Sequence, residues 1–178
     1  MKKDCFNAAV FVFISLLTAV LIYPFLHESG HSIVAVLLKA NVAEFQLLPV
    51  PYILCDVSQI GNIGRSIIGM AGNFFPMIIS ILVPSNCFAV KSFRCTLKGI
   101  SVLAMGISLV SVCFMINEQD DFYQVVSYWN YGKMSLLVIA LIGLILAVVS
   151  LFFELLRKER IPHTTSKTTN KIITIIHQ

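Results

Sequence analysis

The residues whose types and spacing best suit chemistry are His27-Glu28-Ser29-Gly30-His31. On a helix, positions i and i+4 share a face, so both imidazoles can reach one metal ion. Glu28 lies beside the first of them, where it can take a proton from water held at that ion. Two neutral imidazoles leave zinc positively charged, and a third protein ligand leaves one position open, so water there ionises near pH 7. The competing reading is that these side chains only hydrogen-bond at a membrane interface. Ionisable groups cost about 2.5–3.5 kcal/mol each in hydrocarbon, however, and persist there when something holds them. A haem site is excluded on geometry, because imidazoles one turn apart cannot approach opposite faces of one iron.

The elements that must position this run are apolar. The chain has 178 residues, 57% hydrophobic and 12% charged, where soluble domains carry roughly 25% charged residues. That balance, with a mean hydropathy of +0.87, excludes a soluble globular protein and a disordered one. Residues 5–26 (apolar again over 32–38), 66–83, 99–116 and 134–153 are free of Asp, Glu, Lys and Arg. Each approaches the roughly 20 apolar residues that a spanning helix needs. Lys2 and Lys3 precede the first run as in a signal peptide. Its length exceeds an h-region of about 7–15 residues and no small-residue cleavage site follows, so it is read as a retained span.

The expected fold class is an all-α polytopic membrane protein with about four transmembrane helices and a short β-hairpin-like loop between the first two. In that loop, residues 41–62, Pro49 and Pro51 separate the apolar runs 45–48 and 52–54. Two short extended segments fit, with proline confining pairing to an edge. Residues 1–160 are expected to form the transmembrane domain and 161–178 a polar, Thr-rich cytoplasmic tail. Lys2 and Lys3, then Lys91, Arg94 and Lys98, then Arg157, Lys158 and Arg160 flank the spans on one side. Cytoplasmic loops are enriched in Lys and Arg, so both termini are expected in the cytoplasm. The net charge of +4 is spread over several segments and offers no nucleic-acid surface. The five cysteines are scattered and lack a Cys-x-x-Cys pair, which argues against a disulfide framework or a thiolate metal site.

This topology places the end of the third span on the side of the His pair. Glu118, Asp120 and Asp121 follow it, and a carboxylate is a normal third ligand for catalytic zinc. Neighbours on a helix diverge by about 100°, so Asp120 and Asp121 cannot both face the metal. Glu118 is read as solvated surface, and Asp56 in the proline loop as a weaker candidate. In the second span, Gly69, Ala71 and Gly72 let another helix approach closely. Asn73 could donate to a substrate carbonyl or to a zinc ligand, or bridge two helices.

Taken together, these residues resemble the site-2 protease family of intramembrane zinc metalloproteases, in a small form without a PDZ domain. His27-Glu28-Ser29-Gly30-His31 is similar to the family's first motif. Ala71-Gly72-Asn73-Phe74-Phe75-Pro76 resembles its Ala-Gly-Pro-rich segment, with Asn73 where proline is usual. Asp121, followed by Phe122-Tyr123-Gln124-Val125, sits where the family supplies its third zinc ligand, although no Leu-Asp-Gly sequence is present. The likeness covers residues 21–126. It implies zinc held by His27, His31 and Asp121, with Asp120 as the alternative. It also implies proton transfer by Glu28 and oxyanion stabilisation by Asn73. The implied target is a peptide bond in or near the transmembrane segment of a membrane protein, guided in by a sheet in the proline loop. Two other classes stay open: an inactive relative that binds transmembrane segments or a partner, and a small metal or proton transporter. A single polar cluster and the lack of an internal repeat weigh against the transporter.

Overall fold

The computed structural model describes residues 2–46, 51–84, 87–114, 120–129 and 131–156. Glu118, Pro49 and the tail from residue 161 lie outside them. Helix α1 (Lys2–Leu17), a π-helical turn (Thr18–Ile22) and α2 (Tyr23–Leu37) form one continuous rod. Strands β1 (Asn41–Gln46) and β2 (Tyr52–Asp56) follow, then α3 (Asn62–Leu82), α4 (Phe88–Phe114), α5 (Asp121–Tyr128) and α6 (Lys133–Leu156). Among the described residues four helices are long and apolar enough to cross a membrane. Their outward side chains are apolar, as at Leu37 (74% exposed), Met134 (73%) and Phe153 (67%). Only lipid removes the cost of such a surface, and the chain is a polytopic, all-α membrane protein.

The sequence pattern explains the breaks. Pro24 cannot donate an N–H to the preceding turn, and the wider π turn lies immediately before it. At the other end of α2, Lys39 adopts a left-handed φ of 63°. The Ala40 N–H then bonds the Ala35 carbonyl at 2.8 Å, a Schellman stop that turns the chain into β1. The hairpin pairs Gln46 with Tyr52 and Asn41 with Asp56, with a bulge between Val42 and Glu44. It contains two strands, so one edge of β2 has no strand partner among the described residues.

The spans pack antiparallel in chain order. Gly30 of α2 lies against α3 so closely that a Cβ there would stand 2.6 Å from the Ala71 carbonyl and 2.7 Å from Phe75 Cβ. Asn73 and Met77 of α3 meet Ser108 and Met105 of α4, and Lys98 near the start of α4 meets Glu154 near the end of α6. Short helix α5 is not a span. Phe122 and Val125, one turn apart, are each 1% exposed and sink into a core with Val112, Leu136 and Ala140. That packing fixes the position of Asp121 at the first turn of α5.

All four spanning helices begin before their charge-free runs, the second and third by a full turn or more. The second span starts at Asn62 and the third at Phe88, so Lys91, Arg94 and Lys98 belong to α4 and not to a connecting loop. A charge ends an apolar run, but does not end a helix whose charged side chains are paired.

Candidate metal centre

His27 and His31 lie on one face of α2, as the i, i+4 spacing requires, and that face meets α3 at Gly72. A Cβ on Gly72 would collide with His31 Nε2 and would stand 2.6 Å from His31 Cε1 and 2.8 Å from His27 Cε1. Glycine is therefore a steric requirement here. Gly72→Ala is expected to push the imidazoles apart and weaken metal binding more than tenfold, the lower end of what losing ligand orientation costs. Metal titration with circular dichroism on the same sample checks this. Full affinity in the folded variant would contradict it.

Asp121 of α5 closes the cluster. Its Oδ2 lies 2.8 Å from His27 Nε2 and 3.2 Å from His31 Nε2, and the two Nε2 atoms are 3.3 Å apart. Three corners of a tetrahedron around zinc, with ligand bonds near 2.0–2.1 Å, are separated by about 3.3 Å. His31 Nδ1 is 2.7 Å from the Ile68 carbonyl, which can only accept. In the neutral ring the proton is therefore on Nδ1, and Nε2 turns a lone pair toward His27 and Asp121. A proton on His27 Nε2 can satisfy one neighbour, whereas a cation satisfies all three donors. His27 Nδ1 is buried without a hydrogen-bond partner among the described residues. The donor set fits zinc. Burial works against the charged form of Asp121, but where the imidazoles are protonated their hydrogen bonds and positive charge outweigh it and hold the carboxyl well below the usual carboxylate range.

The two aspartates have different tasks. Asp120 is the N-cap of α5, where its Oδ1 accepts from Phe122 N at 3.0 Å and Tyr123 N at 3.3 Å. Its Oδ2 accepts from Ser108 Oγ at 3.0 Å, and that hydroxyl accepts from Asn73 Nδ2 at 3.2 Å. Of the roles open to Asn73, bridging two helices is the one the geometry displays. The chain Asn73–Ser108–Asp120 ties α3 and α4 to the start of α5, one residue before Asp121. Asp56 is exposed at the end of β2 and accepts from Ser58 N, outside the cluster. Ser108→Ala leaves the buried Asn73 and the half-buried Asp120 each one bond short and is expected to lower metal affinity about 10–100-fold, as loss of an outer-shell contact does. Competition against a chelating dye measures it, and unchanged affinity would remove the positioning role.

Glu28, His31 and Asp121 share a cavity of about 390 Å³ with Tyr52, Ile53 and Leu54 of β2. The Ile53 backbone N–H reaches the Glu28 carboxylate. Arg65, also in the cavity wall, donates to the carbonyls of Val57 at 3.1 Å and Ile60 at 2.9 Å, and lies 5.6 Å over the Tyr128 ring. It clamps the segment after β2 to α3 and α5. Sequence reasoning passed over Arg65, Ser108 and Tyr23. Tyr23 stands one turn before His27, its ring 6.0 Å away, with its hydroxyl buried and unpartnered among the described residues. Its i−4 spacing from His27 was the available signal; Ser108 offered none. No family model, curated protein or solved structure matches this chain.

Proposed function

We propose that the chain is an intramembrane zinc metalloprotease that hydrolyses a peptide bond in or near the transmembrane segment of a membrane protein. The observation that carries this reading is Glu28 sharing one cavity with the His31–Asp121 donors and with β2, one edge of which has no strand partner among the described residues. His27, His31 and Asp121 would hold the ion. When bound, zinc would polarise the scissile carbonyl and acidify water at the site. Glu28 would accept the proton from that water and return it to the departing amine. An extended substrate segment would add along β2, whose main-chain groups set its register while the cavity selects side chains. Asn73 would act by holding Ser108, Asp120 and hence Asp121 in place. The bias of basic residues would put both termini in the cytoplasm and the metal centre toward the opposite side.

The test is reconstitution of the full chain in vesicles with zinc and a set of single-span peptides, with products identified by mass spectrometry. Cleavage that stops on chelation and returns with zinc supports the reading. Binding of peptides without cleavage in the zinc-loaded protein would replace it with an inactive relative of the same fold.

A further inference from the structure

A second polar cluster is buried near the start of α4, away from the metal centre. Arg94 and Lys98, about one turn apart, bond the same oxygen of Glu154 on α6: Arg94 Nη2 and Lys98 Nζ each lie 2.9 Å from Oε2. Lys98 also donates to the Ser150 carbonyl at 3.3 Å. Arg94, Lys98 and Glu154 are 6%, 4% and 3% exposed. Two cations face one carboxylate, so a positive charge is left over. Arg94 Nε and Glu154 Oε1 are buried with no hydrogen-bond partner among the described residues. A clamp between α4 and α6 needs one cation and accounts for neither the second nor the unmatched donor and acceptor.

The same three residues line a cavity of about 840 Å³ whose other walls include Ile81, Val149 and Phe153. Ile81 and Phe153 are 50% and 67% exposed, so these walls continue onto the lipid-facing surface. Depth also matters. The 27 residues of α4 make a helix of about 40 Å, some 10 Å longer than the hydrocarbon is thick. Arg94 lies about 9 Å from the start of that helix, and its long side chain leans toward that end, within snorkelling reach of the headgroup region.

We propose that this cavity binds the headgroup of an anionic phospholipid that also carries a hydroxyl group. Phosphodiester oxygens accept from Arg94 Nε and Lys98 Nζ and neutralise the excess charge. The headgroup hydroxyl donates to Glu154 Oε1. The acyl chains lie along Ile81, Val149 and Phe153. A choline headgroup has neither net charge nor a donor, and an ethanolamine headgroup has a donor but no net charge.

The test uses the full chain in micelles doped with phosphatidylglycerol, phosphatidylcholine or phosphatidylethanolamine. Retained lipid is counted by native mass spectrometry, and thermal midpoints are recorded in parallel. Phosphatidylglycerol is expected to be retained about fivefold over either neutral lipid, the factor one uncompensated charge supports. Arg94→Gln and Lys98→Gln are expected to erase that preference. Lys91→Gln, the same charge change one turn away, is expected to keep it. Glu154→Gln removes the competing carboxylate and is expected to strengthen the preference; an unchanged or weaker preference would contradict the proposal. That variant keeps the test decisive where Arg94→Gln does not fold. Equal retention of the three lipids would overturn the proposal. So would inorganic phosphate alone giving the whole thermal effect, because the ligand would then be a free anion.

Discussion

Replacing Glu28 with glutamine is expected to abolish peptide hydrolysis while zinc stays bound. Glutamine keeps the size of the side chain and an oxygen for the Ile53 N–H, but it cannot accept a proton from water. Glu28 is not among the three converging donors, which are His27, His31 and Asp121. The change therefore removes proton transfer and leaves the ligands in place. General acid–base catalysis contributes about 10²–10⁴-fold, so the residual rate is expected below 1% of the starting rate, or about that. Cleavage of a membrane-inserted peptide and zinc content are measured on the same preparation. Full cleavage with zinc present would end the proposed mechanism. Loss of zinc would make Glu28 a structural support of the site.

The second large effect separates the adjacent aspartates. Asp121→Asn is expected to lower zinc affinity more than about 100-fold, beyond the 10–100-fold that outer-shell losses cost. The anionic donor that meets both imidazoles at 2.8 and 3.2 Å is gone. Asp120→Ala removes the cap of α5 and the Ser108 contact instead, which costs about 1 kcal/mol of stability and is expected to weaken zinc binding by no more than the 10–100-fold of an outer-shell loss. Metal-binding titrations and thermal unfolding of both variants make the comparison. If Asp120→Ala loses zinc and Asp121→Asn keeps it, the assignment of roles is reversed.

The spacing of His27 and His31 was legible because a helix converts i, i+4 into a shared face whatever surrounds it. The choice of Asp121 over Asp120 rested in the sequence on the apolar residues downstream. The structure supplies the physical reason, since a cap residue spends its carboxylate on the Phe122 and Tyr123 amides and the next residue is free to face α2. Four spans and a hairpin between the first two were legible in the apolar runs and the prolines. The helix starts were less so, because Arg94 and Lys98 resemble loop charges until Glu154, some 56 positions away, is seen to pair with Lys98. The Asn73–Ser108–Asp120 chain joins residues from three elements, and no local spacing encodes it. Gly72 was legible as a small residue, but not as the one against which the imidazoles rest.

Every role proposed for these residues depends on the metal centre, and the zinc content of the detergent-purified, unaltered chain beside His31→Ala tests it. About one zinc per chain is expected in the first, as a three-ligand site with one open position holds, and none in the second. No zinc in the unaltered chain, even after metal is added back, would contradict it.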